Sequence, residues 1–481
     1  MSRRIVVIGG GIAGLAAAHR LVELKNDNSL DLEITLLEAS NRLGGCIATE
    51  RLDDFLIEGG PDSFISEKPA ALRLCERIGL ASRLVSTQTA YQKIYLVHEG
   101  KLVPLPEGFF LLAPTRLAPF LRTPLFSWAG KLRMAAELFV PRGDADRDES
   151  LGSFVRRRFG TEALARVAQP LVGGIYAADP DELSLAATMP RFRDMERSNR
   201  SVTWAMWSEQ RRRARKRETG SGARWSLFVT LAGGMQELVD TLARRLPQGS
   251  VHLNTAVIEL ARDERTRSWR IATADHTILE ADGVVLATPA FRTAAMLTAT
   301  APDAAGELAR IPYASTATVN LGYRNDDFPR LPDSFGFVVP AIERRKIIAC
   351  TFSSLKYPGR AREGKILLRA FVGGGMQPEL FNDDDVTMEQ NVRGELSSLL
   401  KVSATPLLVR IRRYPTSMPQ YHVGHQARIQ RIESRVERFS ALALAGSAYH
   451  GVGISDCVRT GEAAAEKIFK HVSPVTLDAP A

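Results

Sequence analysis

Arg4-Ile5-Val6-Val7-Ile8-Gly9-Gly10-Gly11-Ile12-Ala13-Gly14 decides the fold of this chain. Residues 5–8 are four consecutive β-branched apolar residues, the pattern of a strand buried on both faces. The glycines follow at once, and residues 15–24 read as a helix. A G-x-G-x-x-G run alone is a weak signal, but between a strand and a helix it has a mechanical meaning. Gly9 permits the turn, Gly11 leaves the backbone bare for a pyrophosphate, and Gly14 lets the helix pack close to the strand. The helix start at Ile12 and Ala13 offers unpaired N–H groups and a positive dipole end to those phosphates.

A second strand, Leu32–Leu37, ends on Glu38, whose carboxylate is placed to accept from ribose hydroxyls and would repel a 2′-phosphate. The chain continues with Arg42 and Gly44-Gly45, then with Glu58-Gly59-Gly60-Pro61-Asp62. A nicotinamide domain has no need of that cation or of further bare-backbone turns. The longer FAD has a use for both, beneath its second phosphate and ribityl chain. The cofactor is therefore read as FAD.

A length of 481 residues favours two or three domains. Met1-Ser2-Arg3-Arg4 runs straight into the first strand, with no secretory signal. No apolar run approaches the ~18–20 residues that span a bilayer. A cytoplasmic protein, soluble or peripheral on the inner face of the membrane, is expected. Cys46, Cys75, Cys350 and Cys457 are scattered, which indicates neither a metal site nor a redox dithiol and suits a reducing compartment. Cys46 reads as a small buried filler. Net charge is +9, with part of the excess in the basic run 211–217, bounded by Gly220-Ser221-Gly222. A solvated loop is the default reading of that run, an anionic-membrane contact the second. Nothing else in the chain supports nucleic-acid binding.

Along the chain, residues 68–80 read as a helix and 93–103 as a hairpin turning at Glu99-Gly100. The apolar stretch 108–128 is broken by Pro114, Pro119 and Pro124, which rule out one continuous helix. Arg116 and Arg122 interrupt it as an interfacial segment would be interrupted, and a face buried against a neighbouring domain is the competing reading. Residues 169–177 read as a close-packed loop. Helix 235–245 and strands near 251–253, 257–260, 269–273 and 282–287 continue the cofactor domain. Alternation between 311 and 415 predicts an antiparallel sheet forming a cavity wall over the flavin. Strand 441–446 and the turn Gly451-Val452-Gly453-Ile454 lead into a last helix, whose start can approach the flavin ring.

Seven segments then carry a resemblance: VVIGGGIAGLAAAHRL, EASNRLGG, EGGPDSF, PLVGGIYAADPDELSL, LAGGMQELVDTLARRL, SMPQYHVGH and AGSAYHGVGISDCVRTGEAAA. The chain resembles the bacterial oxygen-dependent protoporphyrinogen/coproporphyrinogen oxidases of the flavin-containing amine oxidase superfamily. PLVGGIYAADPDELSL, MPQYHVGH and GVGISDC are the specific segments; the glycine fingerprints would fit any relative. The resemblance implies an α/β fold, α+β overall. A discontinuous Rossmann-like FAD domain (1–88, 219–300 and 436–475) is expected. It joins a substrate or helical membrane-associating segment (89–218) and a mixed or antiparallel substrate sheet (301–435).

The same resemblance implies six-electron oxidation of a porphyrinogen to a porphyrin, with oxygen as acceptor and hydrogen peroxide released. It also implies peripheral membrane contact, transfer of product to a downstream haem-pathway enzyme, and a monomer or homodimer. By position, Gly9, Gly11, Gly14, Glu38, Arg42, Gly44, Gly45, Gly60, Val257, Gly446, Val452, Gly453 and Ile454 map onto the family's FAD contacts. Tyr414 falls where relatives often carry tryptophan near the flavin. Gly174 matches a loop glycine whose carbonyl meets pyrrole N–H groups, and Val338 lies where relatives place an aliphatic residue against the macrocycle. Substrate propionates need cations, for which Lys68 and Arg369 are the candidates. No protein side chain is required as a strong base. Two readings compete: an amine oxidase on the same fold and a flavin-bearing scaffold without turnover. The choice between coproporphyrinogen III and protoporphyrinogen IX tilts toward the former, because arginine richness suits a tetra-acid.

Overall fold

Alternate residues of strand Arg3–Ile8 face opposite cores, as the two-residue period of a strand requires. Ile5 and Val7 pack with Leu15, Val458, Ile468 and Phe469, while Val6 and Ile8 pack with Trp269, Val284 and Leu286. Both faces are therefore apolar, which is why the sequence shows an unbroken run. The computed structural model describes residues 2–110, 113–114, 116–144, 147–217, 226–263 and 265–473.

Strand Arg3–Ile8 sits at the centre of a five-stranded sheet in the order Val251–His252, Leu32–Leu37, Arg3–Ile8, Gly283–Leu286, Leu442–Leu444. All its pairings are parallel. Its strands come from three distant parts of the chain, so the Rossmann-like layer is discontinuous. Helices Ile12–Asp27 and Ile454–Val472 cover one face. A three-stranded meander and helices Ala290–Leu297 and Pro302–Ala309 cover the other.

The second sheet has seven strands, in the order Leu408–Pro419, Tyr313–Arg324, Lys365–Gly373, Ala349–Phe352, Ser334–Val338, Lys93–His98, Lys101–Pro104. It is antiparallel except where Ser334–Val338 runs parallel to Lys93–His98. The hairpin turns at Glu99 (φ 52°) and Gly100 (φ 72°), the left-handed pair that a tight two-residue turn demands. Residues 93–104, expected with the helical region, thus extend this second sheet by two strands. Helix Asp385–Leu400 packs on one face of this sheet through Val392 and Leu396.

Residues 169–177 differ from the expected loop. Gln169–Tyr176 is a helix that continues without a break from the π-helical turn Leu164–Ala168, and it stops at Ala177, which is left-handed at φ 49°. Gly173-Gly174 lie in its last turns, where the cost of glycine is small next to close packing. The basic run also differs from a loop, because its backbone continues helix Val202–Arg217. Its side chains from Arg213 onward, Gly220-Ser221-Gly222, and Leu111, Leu112 and Thr115 of the apolar stretch lie outside the described residues.

The helical region is pinned by a buried ionic network. Arg158 is fully buried and donates to Glu137 Oε1 at 3.1 Å and to Glu196. Ser201 Oγ and Val202 N–H donate to the same Glu137 carboxylate at 2.6 and 2.9 Å. Among the described residues no helix is long and apolar enough to cross a membrane.

Candidate active site

Two of the three fingerprint glycines answer to the protein's own packing, and the third to empty space. A Cβ on Gly9 would lie 2.6 Å from Ala287 O, and one on Gly14 only 1.9 Å from Gly9 O. A Cβ on Gly11 would meet no protein atom within 4 Å. Gly11 is also the N-cap of helix Ile12–Asp27 and offers no side chain to its first N–H groups, so the terminus is open to an anion.

Glu38 stands beside this turn, held by Gly10 N–H at 2.6 Å and by Ser40 N–H and Oγ at 2.8 and 2.7 Å. Gly44 N–H donates to Gly10 O at 2.8 Å, and Arg42 folds over the loop to donate to Gly45 O at 2.7 Å. The turn, the acidic residue and the glycine pair therefore form one cradle. Cys46 follows directly and is exposed, unlike the other three cysteines, which corrects its reading as buried filler.

The carboxy-terminal turn closes on the same place. A Cβ on Gly461, in the last helix, would lie 2.2 Å from Ala13 O, so the first and last helices touch backbone to backbone. Ile12 and Ala13 are buried by this contact. Gly446 is left-handed at φ 120° with open space where a Cβ would go. Gly453 caps helix Ile454–Val472 without a side-chain bond, so a second helix terminus presents free N–H groups. Val452 packs toward the helical core and Ile454 is buried. Val257 starts the meander and is half-buried.

Gly59-Gly60 form a third approach. A Cβ on Gly60 would lie 1.9 Å from Cys46 O, and Thr318 Oγ1 donates to Gly59 O at 2.7 Å. The Tyr414 hydroxyl packs against both glycines, and burial pushes its pKa up to about 12. Arg369 lies behind this turn rather than on an open wall. It is 4% exposed, donates to Gly60 O at 2.7 Å and pairs with Asp62 Oδ2 at 3.0 Å.

On the opposite side, a Cβ on Gly174 would sit 3.6 Å from Val338 Cγ1, so these two candidates face each other. Ala177 N–H caps the Gly173 carbonyl at 2.9 Å, leaving the Gly174 carbonyl in the last turn, where helical partners run out. Lys68 Nζ is 2.6 Å from Asp456 Oδ2, at the start of the last helix.

The three specific segments converge behind the second glycine turn. Gln420 Nε2 donates to Tyr176 O at 3.2 Å, and Ser184 N–H to Tyr421 O at 2.7 Å. Gly451 N–H donates to the Tyr421 hydroxyl at 2.9 Å, and Tyr421 stacks on His425 with centroids 4.0 Å apart. Sequence reasoning did not single out Tyr421, Asp456, Asp62 or Lys356. Asp62 sits inside the quoted glycine turn, but no spacing signal points to Lys356. A cavity of about 280 Å³ lined by Arg142, Arg147, Asp148 and Arg193 includes none of the glycine turns.

Residues 12–469 match the flavin containing amine oxidoreductase family. The chain belongs to that family. Family membership brings FAD as the cofactor, and the open helix terminus at Gly11, with bare backbone beside it, suits its diphosphate. The chain is 36% identical to the coproporphyrinogen III oxidase of Propionibacterium freudenreichii subsp. freudenreichii, over 99% of this chain and 92% of that protein. It is 32% identical to the protoporphyrinogen oxidase of Bos taurus, over 98% and 99%. A crystallised protein of Exiguobacterium sp. 255-15 superposes with a TM-score of 0.84 at 33% identity, covering 97% of this chain and 99% of that one.

Proposed function

We propose that this flavoprotein is a porphyrinogen oxidase of haem biosynthesis that converts coproporphyrinogen III to coproporphyrin III. The observation that carries this reading is the full-length likeness to a coproporphyrinogen III oxidase, at 36% identity over 99% of the chain. Six electrons leave the macrocycle in three two-electron rounds, with three oxygen molecules as acceptors and three hydrogen peroxides as products. FAD, when bound, supplies the hydride-accepting atom at N5.

The chain supplies position. Gly9, Gly11 and Gly14 with Ile12 and Ala13 receive the diphosphate, and Glu38 the ribose; Arg42, Gly44 and Gly45 close over them. Gly60, Tyr414, Val257, Gly446, Val452, Gly453 and Ile454 hold the remainder of the cofactor. The Gly174 carbonyl accepts from pyrrole N–H groups, and Val338, packed beside Gly174, bears on the macrocycle from the same side. Lys68 receives a substrate carboxylate, its ammonium half-exposed and oriented by Asp456. Arg369 is committed to Asp62 and Gly60, which takes it out of propionate binding.

Peripheral membrane contact belongs to the same reading. Leu117, Trp128, Leu132 and Phe139 are 68–79% exposed, and Trp204, itself 51% exposed, lies 5.4 Å from Trp207, ring centre to ring centre, in the helical region. Arg211 stacks 3.6 Å over Trp207, an aromatic–cation surface of the kind that lies in headgroups. Co-sedimentation with anionic vesicles tests it.

Anaerobic mixing of the yellow holoprotein with coproporphyrinogen III, protoporphyrinogen IX and an amine tests the whole reading. Fastest bleaching by coproporphyrinogen III is expected. Bleaching by the amine alone would make it an amine oxidase, and bleaching by none would make it a scaffold.

A further inference from the structure

Behind Gly59-Gly60 the protein buries more positive than negative charge. Asp62 is shared between Lys356 Nζ at 3.0 Å and Arg369 Nη2 at 3.0 Å, so two cations meet one carboxylate. Next to them Arg360 stands 3.7 Å from Glu58, one cation to one acid. Arg360 and Arg369 are 1% and 4% exposed. Burial opposes the charge on Asp62, but Lys356 and Arg369 overcome it and hold its carboxyl well below the usual range. The same burial pushes Glu58 up and Lys356 down.

The surplus cation has unfinished bonding. Arg369 Nε, and Nε and Nη1 of Arg360, are buried with no hydrogen-bond partner among the described residues. An uncompensated buried charge is costly, and a negative charge added beside it would be stabilised. Arg369 reaches the cleft through the Gly60 carbonyl at 2.7 Å, one residue layer behind a proposed cofactor contact.

We propose that the Lys356–Asp62–Arg369 triad holds a surplus positive charge for the negative charge that the flavin acquires on reduction. Hydride leaving a substrate carbon carries two electrons and one proton to the neutral oxidised ring, which gains one negative charge. The substrate is oxidised by two electrons and then loses a proton. Arg369 acts through its field and through Gly60, as a positioning residue. The proposal rests on the cofactor reading above.

The test uses the reconstituted holoprotein and three variants: Arg369→Met, Lys356→Met and Asp62→Asn. FAD dissociation constant, sulfite dissociation constant and two-electron midpoint potential are measured for each. Sulfite adds to the oxidised ring and leaves it negatively charged, so it reports the same field without turnover. Removing either cation should weaken sulfite binding about tenfold and lower the potential by about 30 mV for each tenfold. Asp62→Asn should move both quantities the opposite way. Shifts of the same sign in the cation and anion variants would overturn the proposal, as would FAD loss with unchanged potential. If Arg369→Met does not fold, the opposed pair Lys356→Met and Asp62→Asn decides the question alone. A wild-type protein that binds no FAD would sink the cofactor reading itself.

Discussion

Lys68 Nζ lies 2.6 Å from Asp456 Oδ2, an ion pair across 388 residues that joins the two chain ends at the cleft. Lys68 is the N-cap of helix Pro69–Arg77, and Asp456 is in the first turn of the last helix. Lys68→Met should raise KM for coproporphyrinogen III by about 10- to 100-fold, from the ~1.5–3 kcal/mol of a charged hydrogen bond. FAD content should stay unchanged, and Lys68→Arg should restore much of the loss. Steady-state kinetics at two salt concentrations check it.

Gly11 and Gly14 should separate cofactor loss from fold loss. Gly11→Val places its side chain in open space, so the apoprotein should unfold where wild type does while flavin content collapses. Gly14→Ala drives a methyl into the Gly9 carbonyl and should cost the apoprotein ~1–3 kcal/mol. Urea midpoints and the flavin-to-protein absorbance ratio distinguish the two.

Gly174→Val should lower turnover with FAD retained. A Cβ at Gly174 would already be in ordinary contact with Val338 Cγ1 at 3.6 Å, so the two further methyls must project past Val338 toward the space proposed for the macrocycle. Gly174→Ala, which adds only the tolerated atom, should keep measurable activity.

His425 predicts an acid limit to stability. Burial lowers its pKa from 6.5 to about 4, against the pull of the Tyr449 carbonyl. The folded state thus binds its proton less readily than the unfolded chain. Stability is full above pH 6.5 and falls as pH drops from 6.5 toward 4, by about 3 kcal/mol in total. His425→Gln should flatten that limb when urea midpoints are compared at pH 7.5 and 5.

Arg158→Met should destabilise the helical region by ~3–5 kcal/mol, because it leaves the fully buried Glu137 without its cation, while Glu196 keeps Arg157. A lowered thermal midpoint with unchanged FAD affinity is the expected result.

The cofactor layer was readable because its signals are local: strand Leu32–Leu37 appears with the bounds the sequence indicates, and the glycines lie beside the residues they serve. Helix Gln169–Tyr176 was not readable, since Pro170 and the paired glycines look like a loop until the helical turns before them and the sheet around Val338 hold the segment. The charged layer behind Gly60 was illegible for another reason. Asp62, Lys356 and Arg369 come from a turn, a short helix and a strand, and only the long-range sheet pairing brings them together. Arg369 stands out alone on an apolar strand, but nothing local distinguishes an inward cation from one facing a ligand.

The parallel sheet draws strands from residues 3–8, 283–286 and 442–444, so its two glycine turns meet only once those three distant stretches have paired. A polypeptide cut before residue 442 would keep the Gly9–Gly14 turn and lose the Gly453 helix terminus, which leaves half a cradle for the flavin.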